Sequence, residues 1–204
     1  MPLTKDGVYI ETDDRGYEAE ATYYLSFHIL SALFSIKKLL CGENRTEGFE
    51  NEVQYYHYYV DHLLFSVGQI HNRFFSGHKS KREDNRLREQ NEINYAFSPE
   101  KYPVLSDKNA RNTVEHIEEY NRLIIAEHYG VGGFNCIMEG MSPDARKAIE
   151  GRRETHPYTL DLIHKTLYVV RKGDAIQIDL MELREELECL NESVKSFYNI
   201  MHVF

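Results

Sequence analysis

Two long segments near the start of the chain carry apolar residues at helical spacing, and they constrain the fold most. Between Tyr17 and Leu40 the apolar side chains recur every three or four positions, and a second such stripe runs from about Thr46 to Phe75. Gly42 separates the two segments, so the connection is short. Because two long helices joined by a short turn pack antiparallel, the sequence predicts a helical hairpin that forms half of a bundle.

Shorter elements follow in the last third of the chain. A short helix is predicted to start at Ser142–Pro143, because proline is favoured at the first helical position. The β-rich segments 166–170 and 175–178 flank a turn sequence and predict a β-hairpin. A long helix is predicted from Leu180 to about Met201. Its apolar stripe comprises Leu180, Leu183, Leu187, Leu190, Val194 and Phe197.

These elements together predict a mainly α fold, a helical bundle with an added C-terminal β-hairpin and long helix. The chain has 204 residues, which suits one domain with an appendage. We expect an irregular N-terminal segment over 1–16, the helical bundle over 17–128, and a C-terminal extension over 129–204 that packs on the bundle.

Composition restricts the classes of function. The net charge of −9 argues against tight nonspecific binding of nucleic acid, since that affinity comes mainly from neutralising phosphates. Three cysteines without CxxC spacing fit reduced thiols rather than a disulfide frame or a zinc site. No run approaches the ~18–20 apolar residues of a membrane span, and the first residues lack the apolar centre of a signal peptide. We therefore expect a cytoplasmic protein that is not in a membrane.

Residues 106–120, SDKNARNTVEHIEEY, carry the main candidate site. Ser106 is expected to cap a helix, which would extend to about residue 128. Within its second turn lie Arg111, Asn112 and His116, and the last two share a face because they are four positions apart. One short segment thus offers a fixed cation, a side-chain amide and a titratable base.

That combination suits cleavage of RNA. A histidine can accept or donate a proton near neutral pH. An arginine can hold a phosphate and stabilise the charge that develops on it. Because the 2′-hydroxyl of RNA can serve as the nucleophile, neither a metal, nor another cofactor, nor a covalent enzyme intermediate is required.

The sequence RNTVEH, Arg111 to His116, resembles the signature of the HEPN superfamily of helical-bundle ribonucleases. That signature is an arginine followed by a polar residue, often asparagine, and then by a histidine after four to six intervening residues. The spacings Arg73 to His78 and Arg122 to His128 also match, but phenylalanine and leucine follow those arginines. Only Arg111 is followed by a polar residue of the family type.

The resemblance implies a HEPN-like bundle over 17–128 and a metal-independent endoribonuclease that leaves 2′,3′-cyclic phosphate and 5′-hydroxyl ends. It implies His116 as general acid or base, Arg111 on the scissile phosphate, and Asn112 as an orienting group. It also implies a homodimer in which the two motifs face each other. Family members often act in toxin–antitoxin or phage-defence systems, so an antitoxin or defence partner protein is a further expectation.

Other polar residues are secondary candidates. Asn72 and Arg73, at the end of the second helix, and Lys79 and Arg82, in the basic stretch after it, are candidates for RNA contact. His57 and Asp61 are four apart and could share a metal, but two ligands do not make a site, and aromatic packing with a His57–Asp61 hydrogen bond is favoured.

Two other functions remain open. One is a noncatalytic helical interaction or regulatory protein, which the acidic balance and the many tyrosines favour. The other is a metal enzyme built on histidines and carboxylates, which ranks last because no strong ligand motif such as HExxH occurs.

Overall fold

The fold is given by a computed structural model that describes residues 2–5, 8–11, 15–41, 48–75, 92, 94–107, 133–171 and 174–202. Its elements in chain order are β1 (Pro2–Lys5), β2 (Val8–Glu11), α1 (Arg15–Cys41), α2 (Glu52–Phe75), α3 (Pro103–Ser106), β3 (Phe134–Ile137), α4 (Pro143–Glu150), a 3₁₀ turn (Arg153–Thr155), β4 (Tyr158–Asp161), β5 (Thr166–Arg171), β6 (Asp174–Asp179) and α5 (Leu180–His202).

Helices α1 and α2 form the antiparallel hairpin that the sequence predicts. The ring of His28 lies 5.9 Å from that of Phe65, and the ring of Phe34 lies 6.0 Å from that of Tyr59. The later residue of α1 therefore pairs with the earlier residue of α2, which shows that the two helices are antiparallel. The inner side of α1 is buried against α2 and α5, and it consists of Leu25, Ile29, Ala32, Ile36 and Leu39.

A four-stranded mixed sheet packs beside this hairpin, in the order β3-β4-β5-β6. Strands β3 and β4 are parallel, whereas β4, β5 and β6 are antiparallel neighbours. The predicted hairpin is present as β5 and β6, but it is half of a sheet whose alternate residues Leu160, Leu167, Val169 and Ile178 join the main core. The prediction of a mainly α HEPN-like bundle with an added hairpin is therefore wrong, and the fold is mixed α/β.

The strand β3 and the early part of the sheet escaped prediction for a physical reason. Strand β4, from Tyr158 to Asp161, alternates apolar and polar residues, but it has only four of them, so its periodic signal is short. Strand β3 has only four residues and follows a glycine-rich stretch. Strands of four residues give little periodic signal, and β3 pairs in parallel with a strand more than 20 positions later.

Helix α5 starts as the sequence predicts. The Asp179 carboxylate accepts hydrogen bonds from the backbone N–H of Met181 at 2.7 Å and of Glu182 at 3.0 Å, which satisfies donors of the first turn. The six residues of its predicted stripe are all buried. The predicted short helix is α4, where the Ser142 hydroxyl accepts from Ala145 N and Pro143 occupies the first turn. Both predictions are confirmed.

The N-terminal residues differ from the expected irregular segment. Pro2–Lys5 and Val8–Glu11 pair as an antiparallel two-stranded sheet with Pro2 opposite Glu11. One described helix contains a segment, Thr22–Cys41, that is long and apolar enough to cross a membrane by length and composition alone, contrary to the expectation that no segment qualifies. A single segment of this kind is weak evidence, and its inner side belongs to the protein core, which is consistent with a soluble protein.

Candidate functional site

The predicted catalytic residues Arg111, Asn112 and His116 lie outside the described residues, in 108–132, and Lys79 and Arg82 lie outside them in 76–91. The chain leading to the motif is described. Helix α3 ends at Ser106, and the Ser106 hydroxyl is buried without a hydrogen-bond partner. The prediction that Ser106 caps the motif helix is therefore wrong, because this residue closes a preceding short helix instead.

Helix α3 is fixed to α5 through one buried carboxylate. Glu186 accepts hydrogen bonds from the backbone N–H of Val104 at 2.9 Å and of Leu105 at 2.8 Å. These are first-turn donors that have no partner within the helix itself. Burial raises the pKa of Glu186, although the two N–H groups oppose the shift. The residues just before the motif thus have a fixed place on the core.

Asn72 and Arg73 lie in the last turn of α2, where both are half-buried. Their neighbours on the same turn, His71 and Phe74, are buried. The last turn of α2 therefore belongs partly to the core, and the proposed contact of Asn72 and Arg73 with RNA stays a prediction.

The described residues bring together another polar cluster at the end of β4. One oxygen of the buried Asp161 carboxylate, Oδ2, lies 2.9 Å from His164 Nδ1 and 3.8 Å from an Arg153 guanidinium nitrogen. The other oxygen, Oδ1, accepts from the backbone N–H of Ile163 at 3.1 Å and of His164 at 3.0 Å. We name Arg153, Asp161 and His164 the Asp161 cluster.

Local sequence explains why this cluster forms. Aspartate accepts hydrogen bonds from the backbone N–H groups that follow it, which starts a turn. The turn from Leu162 to Lys165 then closes with Lys165 in a left-handed conformation, at φ 54°. The hydroxyl of Thr166 donates to the His164 carbonyl at 3.1 Å. The β4–β5 turn therefore holds His164 close to Asp161 by several independent bonds.

The electrostatics of the cluster keep Asp161 ionised. Burial of the carboxylate opposes ionisation, but hydrogen bonds from the His164 ring and from the backbone N–H groups of His164 and Ile163 outweigh burial and lower the pKa of Asp161. Arg153 approaches the carboxylate from above the sheet, where its guanidinium lies 3.9 Å from the centroid of the Tyr168 ring.

Chemically, the cluster presents an oriented imidazole. Because the carboxylate accepts from Nδ1, the neutral ring keeps Nε2 as its proton acceptor. The ring of His164 is about half exposed, so it is accessible to solvent and to a bound group. The same bonds also suffice to hold the turn, which is a structural role.

A cleft of about 500 Å³ lies beside the β4–β5 turn, with Leu162 and Lys165 in its wall. Two carboxylates, Glu52 and Glu139, line it as well. Because these carboxylates repel phosphate groups, the cleft does not suit an RNA strand. Its apolar wall includes Leu39, Leu40 and Met138.

The His57–Asp61 pair is a contact between α2 and the sheet. His57 Nε2 lies 3.5 Å from Asp61 Oδ2, and the His57 ring stacks on Phe134 with centroids 5.3 Å apart. Burial raises the pKa of Tyr158, as do the charge of Asp61 and the hydrogen bond between them. The packing interpretation of His57 is confirmed. In the described ranges, no group of three or more His, Cys, Asp or Glu residues is placed to hold a metal.

The Asp161 cluster was missed because its signal is short. The sequence DLIH places an aspartate three positions before a histidine, directly after a β-rich segment. That spacing favours a turn in which the carboxylate meets the imidazole. Arg153, eight positions earlier, gives no such signal, because its place depends on the crossover from β3 through α4 to β4.

Comparisons with protein-family models, with curated proteins and with solved structures found no match to the chain.

Proposed function

We propose that the chain is a cytoplasmic, metal-independent endoribonuclease. Arg111 binds the scissile phosphate, Asn112 orients the reacting groups, and His116 transfers the proton to or from them. The 2′-hydroxyl of the RNA attacks the adjacent phosphorus and the 5′-oxygen leaves, so the products carry 2′,3′-cyclic phosphate and 5′-hydroxyl ends.

The single observation that supports the proposal is the motif RNTVEH, with arginine, asparagine and histidine at the spacing such chemistry uses. The proposal relies on the chemistry of the motif and not on a HEPN bundle. The anchoring of α3 is compatible with it, because a catalytic segment works best when its support is rigid.

A homodimer is part of the proposal, because cleavage needs both a general acid and a general base. The motif provides one histidine in each chain, and two chains together provide two. The net charge of −9 makes nonspecific binding of RNA weak, so the enzyme would depend on its local cations for binding. The same charge suits regulation by a basic antitoxin or defence partner protein.

The test is cleavage of a mixed RNA pool in excess EDTA by the native protein, His116→Ala and Arg111→Ala. His128→Ala is the matched control, since His128 ends another Arg–His spacing, the one that starts at Arg122. We expect the native protein and the control to cut and to leave cyclic-phosphate ends, while the two motif variants lose at least about a hundredfold in rate. Equal cutting by His116→Ala would contradict the role of the motif.

A second candidate function is that of a noncatalytic interaction protein. The specific observation in its favour is the row of large apolar side chains that α1 and α2 leave exposed. Under this alternative the native protein cuts no RNA in the same assay, and His116→Ala leaves its interactions unchanged.

A further inference from the structure

The outer side of α1 is apolar although it faces solvent. Tyr23 is 63% exposed, Phe27 and Leu30 are 54% exposed, and Phe34 is 52% exposed. At 100° per residue these four side chains fall within an arc of about 60°, so they form one straight stripe along the helix. Single exposed apolar residues are common, but a continuous stripe of large ones is not.

Helix α2 extends this stripe sideways. Tyr58 and Phe65 are 48% and 49% exposed. His28 connects the two helices, because its ring lies 5.4 Å from that of Phe27 and 5.9 Å from that of Phe65. We name the whole surface the aromatic face; its members are Tyr23, Phe27, Leu30, Phe34, Tyr58 and Phe65.

The aromatic face is large enough for the smallest stable interfaces. A large aromatic side chain has an area of about 150–250 Å², so six half-exposed residues present roughly 600 Å². The largest apolar patch of a typical monomer is about 300–600 Å². Stable interfaces start at about 600 Å² per partner. The aromatic face alone therefore reaches the lower end of the range for a stable dimer.

The charged residues around the aromatic face indicate which kind of partner binds it. From Ala21 to Ile36 the sequence has no Asp, Glu, Lys or Arg, so the stripe on α1 is uncharged. The neighbouring exposed charges are of both signs, with Lys37 on α1 and Asp61 on α2. An uncharged centre with a mixed-sign rim is typical of protein interfaces. A lipid surface favours a cationic rim.

We infer that the aromatic face binds the aromatic face of a second copy of this chain. An uncharged stripe presents no repulsion to its own copy, and a two-fold axis brings the same patch together from both subunits. Two α1–α2 hairpins packed in this way form a four-helix arrangement that buries both stripes. This inference stands on the described surface and does not rest on the proposed ribonuclease activity.

A lipid bilayer into which α1 inserts is the alternative partner of the aromatic face. The segment Thr22–Cys41 passes the length and hydropathy test, and one third of it is buried inside the protein. Its inner side packs against α2 and α5 in the main core. Crossing a membrane would strip those contacts, whereas pairing with a second copy preserves them.

Sedimentation equilibrium of the full chain tests the inference. We expect the native protein to be a dimer and the double variant Phe27→Ser/Phe34→Ser to have a dissociation constant at least about tenfold higher. The matched control is Val53→Ser/Ile163→Ser. Both control residues are also exposed and apolar, but Ile163 is in the β4–β5 turn and Val53 lies about 140° around α2 from Tyr58. The control should remain dimeric.

A second variant distinguishes loss of the dimer interface from loss of the fold. Leu30→Lys keeps a good helix former and places like charges against each other across the two-fold axis, so it should also give monomers, with the circular dichroism of the native protein. A native monomer, or a dimer that survives both the double variant and Leu30→Lys, would overturn the inference. Binding of the native monomer to anionic phospholipid vesicles would assign the face to lipid instead.

Discussion

The two sides of α1 have similar side chains and opposite surroundings. Ile29 is fully buried, whereas Leu30, the next residue, is 54% exposed. A helix that is apolar all round is usually buried all round. Hydrophobic content alone therefore does not separate the core of one chain from a surface that a second chain covers.

The outer face of the sheet gives a useful contrast with the outer side of α1. There polar side chains find partners within the chain, as Arg153, Asp161 and His164 do. The aromatic face has no comparable cover among the described residues. One outer surface is complete within a single chain, and the other is complete only after association.

The largest expected difference is between Ile29→Ala and Leu30→Ala. Loss of the buried Ile29 side chain should lower the free energy of unfolding by about 2–5 kcal/mol, because it leaves a cavity in the core. Leu30→Ala should change it by less than about 0.5 kcal/mol when measured on the monomer at low protein concentration. Urea unfolding followed by circular dichroism measures both.

Equal losses of unfolding free energy for these two variants on the monomer would contradict the contrast between the two sides of α1. That result would mean that the outer side of α1 is covered within the same chain. A small effect of Leu30→Ala on the monomer, together with a large effect at high protein concentration, would support the contrast between the two sides of α1. The additional loss at high concentration would come from weakened association.

The buried carboxylate of Glu186 provides the next effect. Glu186→Ala leaves the N–H groups of Val104 and Leu105 without their acceptor, so the free energy of unfolding should fall by about 1–3 kcal/mol. The matched control is Glu182→Ala, one turn earlier on the same helix, where the side chain is exposed. Chemical denaturation of both should show a loss only for Glu186→Ala, and equal losses would contradict the anchoring of α3.

Asp161 predicts a smaller effect that depends on pH. Its pKa is lowered in the folded chain, so its contribution to stability is present above the unfolded pKa of about 3.9 and is lost as pH falls through the folded pKa. Asp161→Asn removes the Oδ2 acceptor of His164 and should cost about 1 kcal/mol near neutral pH. The difference between native and variant should shrink in acid. A constant difference across the pH range would show that ionisation of Asp161 does not stabilise the fold.

Helices α1, α2 and α5 were predictable from sequence because each has a long periodic pattern, and α4 was predictable from the local signal at its start, whereas the four-residue α3 was not predicted. The stripe of α5 and the Ser142–Pro143 start of α4 are examples. The sheet was only half predictable. The β5–β6 hairpin is local, whereas the pairing of β3 with β4 joins distant segments, and each of these two strands has only four residues.

The two candidate sites also differ in how far the sequence could predict them. The motif from Arg111 to His116 could be proposed as a site from sequence because its residues lie within one turn or two of a predicted helix, and it stays a prediction. The Asp161 cluster depends on a crossover that brings Arg153 over Tyr168, and sequence spacing does not record that approach. Ser106 shows a further limit, since a good capping residue can equally end a short helix.

The measurement that tests the contrast between the two sides of α1 most directly is the thermal midpoint of the native chain over a wide range of protein concentration. If the aromatic face joins two copies, the midpoint rises with protein concentration, because association stabilises the folded state by mass action. The rise should be absent in Phe27→Ser/Phe34→Ser. A midpoint of the native chain that stays constant at all concentrations would contradict the account.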